Sequence, residues 1–291
     1  MNTLNLALIQ HPCTDDPQAN LERACGLVEE AARGGARLVC LQELFHTTYF
    51  PREMDECFFE WAQPLDGPLT RRLRQLADQL DISLVAPFFE RRAAGIYHNS
   101  LAVIGPGGEL QGFYRKVHIP DDPGFYEKYY FTPGEEGYRV FGLDDVGEDA
   151  PRFAPLICWD QWYPEAARVS ALKGAGLLLY PTAIGTLPEE SGGESEEFHQ
   201  AWQTIQRSHA IANGCFVASV NRVGEEGGTR FWGQSFVAGP FGQILAQAGR
   251  EEEILHAELD LSAVERQRQI WPFFRDRRID TYGPLLKRYD D

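Results

Sequence analysis

Three residues of this chain stand where a side chain could do chemistry: Glu43, Lys116 and Cys158, each following an apolar, strand-like run. Cys158 closes the run Phe153-Ala-Pro-Leu-Ile157. It precedes Trp159-Asp-Gln-Trp-Tyr-Pro164, where the proline has its φ preset for the first turn of a helix. A side chain at such a strand–loop–helix corner sits at the carboxyl end of a sheet, where α/β proteins place their ligands. Helix N-termini and any neighbouring cation are expected to favour a thiolate there. A lone cysteine is more often a small buried hydrophobe, but the polar and aromatic residues that follow this one argue against simple packing. Glu43 lies just beyond the run Ala36-Arg-Leu-Val-Cys-Leu41, and Lys116 ends Gly112-Phe-Tyr-Arg-Lys. Together the three meet the needs of acyl transfer. A carboxylate shielded from water can take the thiol proton. Lys116 and the backbone N–H of Trp159 can face the oxyanion that forms. No histidine need take part.

The elements that must hold these residues follow from periodicity. Leu4–Gln10 reads as a strand, residues 20–33 as a helix stopped by Gly34-Gly35, and 36–41 as a second buried strand, a rhythm that predicts a parallel crossover. A helix over 69–80 and a strand over 82–90 follow, then a hairpin turning at Gly105–Gly108. Residues 120–134 form a long loop carrying Glu127. After Cys158 come a strand at 176–180, an acidic loop at 188–197, a helix over 198–213 and a strand over 215–220. A second Gly-Pro-x-Gly hairpin begins at Ser235, and one more strand spans 254–259. The repeated order predicts an internal duplication, with two mixed sheets face to face and helices outside: a four-layer α-β-β-α sandwich.

The 291 residues, 43% of them hydrophobic, suffice for one large core, and no linker divides residues 1–291. A formal charge of −16 disfavours nucleic acid and anionic membranes as partners. The first residues carry no export signal, and the six cysteines form no C-x-x-C pair, so reduced thiols in a cytoplasmic protein are expected. The seven histidines have no zinc spacing, and neither metal nor cofactor is expected.

The segments Leu-Gln-Glu43-Leu-Phe, Tyr-Arg-Lys116-Val-His-Ile-Pro and Leu-Ile-Cys158-Trp-Asp-Gln-Trp-Tyr-Pro-Glu resemble the three signature segments of the nitrilase superfamily of carbon–nitrogen hydrolases. The likeness extends through 125–134, 179–185, 206–213 and 271–278. It implies Glu43 as general base, Lys116 as oxyanion stabiliser, Cys158 as nucleophile and Glu127 as a second acid that orients Lys116 and the hydrolytic water. It also implies a homo-oligomer, with the aromatic and basic arm within residues 265–291 used in assembly. Two departures stand out. Pro155 has no ladder donor, so its strand should be an edge or bulged. Thr186-Leu187-Pro188 replaces a Ser-Glu-Pro found in many relatives, leaving Glu189 or Glu190 to compensate. The small-molecule substrate expected is a carbamoyl amine, N-carbamoylputrescine above all. Its chain would lie along Trp159, Trp162 and Tyr163, and its ammonium would face aromatic rings or Asp121, Asp122, Glu189 and Glu190. The alternatives are an N-carbamoyl amino acid, an aliphatic ω-amide, and a catalytically silent interaction protein.

Overall fold

The computed structural model of the chain describes residues 3–143, 152–190 and 193–290. In the first half, β1 (Thr3–Gln10), α1 (Pro17–Arg33), β2 (Leu38–Leu41), α2 (Pro68–Leu80) and β3 (Ser83–Ala93) form two parallel crossovers. β4 (Ile96–Ile104) and β5 (Leu110–Arg115) then add antiparallel strands. A four-residue helix, α3 (Glu127–Tyr130), follows inside what the sequence reads as a plain loop. The second half repeats the plan. β6 (Arg152–Pro155), α4 (Pro164–Leu172), β7 (Ala175–Pro181), the short β8 (Gly185–Thr186), α5 (Glu194–Asn213) and β9 (Phe216–Val220) give the parallel part. Next come β10 (Val223–Glu226) and β11 (Thr229–Trp232), then β12 (Phe236–Ala238), antiparallel to β9, and β13 (Ile244–Gln247), antiparallel to β12. β14 (Glu253–Asp260) returns to pair antiparallel with β1, and α6 (Ser262–Ile270) leads into the arm.

The sheets run β14-β1-β2-β3-β4-β5 and β13-β12-β9-β7-β6. Without β14, each is three parallel strands followed by two antiparallel ones, which is the duplication. A side-chain detail repeats with it. Gly108 and Gly242 both take positive φ, 71° and 75°, in the hairpin turns. Each offers its carbonyl to an arginine of the neighbouring helix: Arg74 Nε donates to Gly108 O at 2.7 Å, and Arg207 Nε to Gly242 O at 2.7 Å. A β-carbon at Gly108 would sit 2.6 Å from Arg74 O, and one at Gly242 would sit 2.7 Å from Ile211 Cδ1, so both turns need glycine.

The central strands of the first sheet, β2 and the start of β3, are buried on both faces and therefore read as continuous apolar runs. Leu4, Leu6, Leu8, Leu38 and Cys40 meet Ala154, Leu178, Val217 and Phe236 of the second sheet. Ala7, Ile9, Val39 and Leu41 face α1 and α2 instead. Helix starts follow their local signals. Asp16 caps α1 by accepting from Gln18 N and Ala19 N, and Pro17, Pro68 and Pro164 each open a helix.

Several expectations shift. The second strand is shorter than 36–41, and the third runs on to Ala93. The acidic stretch 188–197 is not one loop: Glu194, Glu196 and Glu197 form the first turn of α5, where negative charge complements the helix dipole. Residues 191–192 lie outside the described residues. The three-stranded sheet β10-β11-β8 has no counterpart in the sequence reading. Pro155 is placed as its chemistry demands, at the end of the edge strand β6, whose ladder shifts register between Arg152 and Phe153.

β4 and the segment at Gly134 hold the main chain of Lys116 between them: Lys116 N donates to Asn99 O at 2.9 Å, and Gly134 N donates to Lys116 O at 2.8 Å. A β-carbon at Gly134 would lie 2.3 Å from Arg115 O. Gly134→Ala is therefore expected to lower stability by roughly 1–3 kcal/mol, seen as a lower midpoint in chemical denaturation. An unchanged midpoint would mean the two segments can part at no cost.

Candidate active site

Glu43 stands two residues past β2, Lys116 immediately past β5 and Cys158 three residues past β6, all at carboxyl ends of strands. β5 is antiparallel to β4, itself antiparallel to β3, so β5 ends on the same rim as the parallel strands. The side chains of Glu43, Lys116 and Glu127 are fully buried. Lys116 Nζ donates to Glu43 Oε1 at 2.9 Å and to both oxygens of Glu127 at 2.8 and 2.7 Å. Asn99 Nδ2 donates to Glu43 Oε1 at 2.7 Å, and Tyr49 OH to Glu127 Oε1 at 2.7 Å. Glu43 Oε2 is buried with no hydrogen-bond partner, an open basic lone pair.

Two acids share one ammonium in a dry site, and the charges settle accordingly. Burial works against the Lys116 ammonium, but Glu127 and Glu43 outweigh it and hold the amine firmly protonated. Burial pushes the Glu127 carboxyl up to about 7, with Lys116 opposing the rise and Glu43 adding to it.

Cys158 is buried and takes φ = +42°, a left-handed conformation that is uncommon for a side chain of this kind and concentrates at functional sites. Here the thiolate expectation is corrected. Burial and the facing Glu43 charge drive the thiol's pKa far above its usual value, more than Lys116 lowers it. The helix that was to supply a dipole, α4, begins six residues further on. A 3-10 turn over Cys158–Trp162 intervenes, and its early amides, Trp159 N–H among them, have no carbonyl within the turn to bond.

Asp160 fixes this corner. Its buried carboxylate accepts from Ile157 N at 3.0 Å, Tyr114 OH at 2.6 Å and His118 N at 3.0 Å, and His118 Nδ1 lies 2.7 Å away. One acid thus joins the Cys158 turn to the segment that carries Lys116. Gln161 braces the other side: its Oε1 accepts from Trp202 Nε1 at 2.9 Å, and its backbone O lies 2.8 Å from His209 Nε2.

The residues expected to line a substrate differ in exposure. Trp159, Trp162 and Tyr163 are half-buried. The first two rings meet edge to face at 6.3 Å, and Tyr163 stacks on His118 at 3.6 Å. Asp121, Asp122 and Glu189 are exposed. Glu190 is half-buried, its Oε2 accepting from Leu187 N at 3.1 Å, with burial raising its pKa. Leu187 in turn packs where a β-carbon on Gly124 would be, 3.0 Å away, so loop 120–126 and loop 186–190 touch. Among the described residues no group of three His, Cys, Asp or Glu could hold a metal ion, and no helix is long and apolar enough to cross a membrane.

Sequence reasoning missed Tyr49, Asn99, Asp160 and Arg222. Asp160 and Asn99 lie beside recognisable site residues, at Cys158 and on the strand facing Lys116, but their partners are distant in sequence. Arg222 and Tyr49 offered no signal of their own.

The carbon-nitrogen hydrolase family model matches residues 5–269. An N-carbamoylputrescine amidase from Solanum lycopersicum is 41% identical over 97% of this chain and 95% of its own length. A citrullinase from Francisella tularensis is 37% identical over 99% of this chain and 100% of its own. The crystal structure of a carbon-nitrogen hydrolase from Helicobacter pylori superposes with a TM-score of 0.94 at 44% identity, covering 99% of this chain and 100% of that one. With this fold and these relatives, the chain belongs to the carbon–nitrogen hydrolases of the nitrilase superfamily and is a hydrolase of carbamoyl or amide C–N bonds.

Proposed function

We propose that the protein hydrolyses N-carbamoylputrescine to putrescine, carbon dioxide and ammonia, with Cys158 as nucleophile. The observation that carries the chemistry is the buried Lys116 held between Glu43 and Glu127, with one oxygen of Glu43 left open. As Cys158 Sγ attacks the carbamoyl carbon, its proton passes to Glu43 Oε2. Thiol and carboxylate need no preformed ion pair, since the transfer accompanies attack. The carbonyl oxygen becomes an oxyanion facing Lys116 and Trp159 N–H. Collapse returns the proton from Glu43 to the departing putrescine nitrogen and leaves an S-carbamoyl cysteine. A water, deprotonated by Glu43 and steered by Glu127, then attacks that carbon. The thiol is restored and carbamic acid leaves, to break down to carbon dioxide and ammonia.

Lys116→Arg is expected to lose on the order of a hundredfold to a thousandfold in kcat, because a planar fork cannot replace a compact ammonium between two carboxylates. Cys158→Ser should abolish turnover, while the exposed Cys57→Ser should not change it. A Lys116→Arg enzyme near full activity would remove Lys116 from the mechanism.

For the substrate, the segment Cys158-Trp159-Asp160-Gln161-Trp162 contains no cation, and Asp160, its one charge, is saturated by its own hydrogen bonds. A carboxylate-bearing substrate would need a positive partner. A diamine tail suits Trp159, Trp162 and Tyr163, with its ammonium met by Glu190, Glu189 or Asp121. The relative named a citrullinase favours one second reading, a ureido amino acid: citrulline is the same carbamoyl chain with an added α-carboxylate. The test compares kcat/KM for N-carbamoylputrescine, citrulline, an N-carbamoyl-D-amino acid and an aliphatic amide. N-carbamoylputrescine should lead. A tenfold advantage for either carboxylate-bearing substrate, about 1.4 kcal/mol of transition-state preference, would overturn the assignment.

We further propose a cytoplasmic homo-oligomer, formed by one catalytic domain whose arm, residues 265–291, takes part in assembly. Phe274 of the arm stacks against Arg168 and Arg268, and Trp271 meets Phe241. Beyond them Ile279, Leu285 and Leu286 stay exposed, Leu286 at 94%. Light scattering of the intact protein at micromolar concentration should give a dimer or larger, and deletion from Trp271 should give monomers or insoluble protein. A monomeric intact chain would refute it.

A further inference from the structure

Arg222 is the largest fully buried charged side chain among the described residues, and the reaction as written does not use it. It follows β9, in the second half of the chain, yet its guanidinium is spent on the first half. Nη2 donates to Glu43 O at 3.0 Å and to Leu44 O at 2.9 Å, and Nη1 donates to Thr47 O at 2.9 Å. Nη1 also meets Glu226 Oε1 at 2.6 Å. The other oxygen of Glu226 accepts from Tyr49 N at 2.6 Å, and Tyr49 OH reaches Glu127. Both members of this pair are buried. The turn they grip is strained, since Leu44 takes φ = +49° without being glycine. A planar guanidinium is suited to collecting three carbonyls from one turn; a lysine ammonium has three donors on a single point and no fork.

We infer that Arg222, paired with Glu226, is a positioning residue that sets where Glu43 and Glu127 stand around Lys116. One branch runs from Arg222 to the backbone that carries Glu43. The other runs from Glu226 through Tyr49 to Glu127. The inference rests on the catalytic reading of Glu43 and Lys116. It adds that this geometry is imposed across the two halves by a buried ion pair that touches no substrate.

The test separates position from stability. Arg222→Lys keeps the charge beside Glu226 and loses the fork. It is expected to fold, to keep KM within about threefold and to lower kcat by about tenfold to a hundredfold, the scale of a misplacement near 1 Å. Arg222→Met alone strands Glu226, so the companion is the double variant Arg222→Met/Glu226→Gln, which removes both charges together. Its melting temperature should recover towards the parent while kcat stays low. A purely structural pair would have the two recover together. The rate at which iodoacetamide alkylates Cys158, followed by mass spectrometry, reads the Glu43–Cys158 geometry without any substrate and should fall in Arg222→Lys. A parental kcat in either variant, or a parental alkylation rate in Arg222→Lys, overturns the inference. A parent enzyme inert on every carbamoyl and amide substrate would instead fail the reaction assignment, and the alkylation comparison would still decide the role of Arg222.

Discussion

The whole site depends on one buried ammonium. Lys116 has no contact with solvent, and taking such a charge out of water costs several kcal/mol unless it is matched at close range. The match comes from two carboxylates, which leaves one excess negative charge in a dry pocket. Burial first, and that excess added to it, push the Glu127 carboxyl and the Cys158 thiol towards their protonated forms. A thiolate at rest would be a third anion against one cation. The cluster therefore favours a nucleophile that is created only as it attacks, with Glu43 Oε2 as the open acceptor.

Such a cluster tolerates little looseness, and the surrounding structure supplies stiffness. Asp160 binds the cysteine turn to the Lys116 segment with backbone and side-chain donors from both. Backbone bonds on each side of Lys116 leave its main chain no freedom. The positive φ values at Leu44 and Cys158 flank the two reacting groups, and strain at such places persists only where neighbours over-determine it. Arg222 is that neighbour for Leu44, and Asp160 for Cys158.

How much of this could be read from the sequence follows from which interactions are local. Strand ends announce themselves by apolar runs, so Glu43, Lys116 and Cys158 were visible, as was the edge position of Pro155. The hairpin glycines at 108 and 242 made the duplication legible, because positive φ restricts composition. The charge state of Cys158 was not legible, since it depends on Glu43, 115 residues away, and on burial. Tyr49 and Arg222 act through contacts up to 179 positions apart. The small sheet was missed because β8 has two residues and β10 and β11 four each, too few to establish a period of two.

The duplication also explains why the site cannot belong to either half. The first half brings Glu43, Lys116 and Glu127, just past β2, just past β5 and on α3. The second half brings Cys158, three residues past β6, and the Arg222 guanidinium that holds the Glu43 backbone after β9. The parts meet only when the inner faces of the two sheets pack, burying Leu6 and Leu8 against residues such as Leu178 and Val217. Closing that interface excludes water from the cluster and so gives the electrostatics their strength. The core that stabilises the fold and the dry environment that the chemistry requires are thus one feature. A substitution that loosens the inter-sheet packing should act on both, by admitting water to charges whose values depend on its absence.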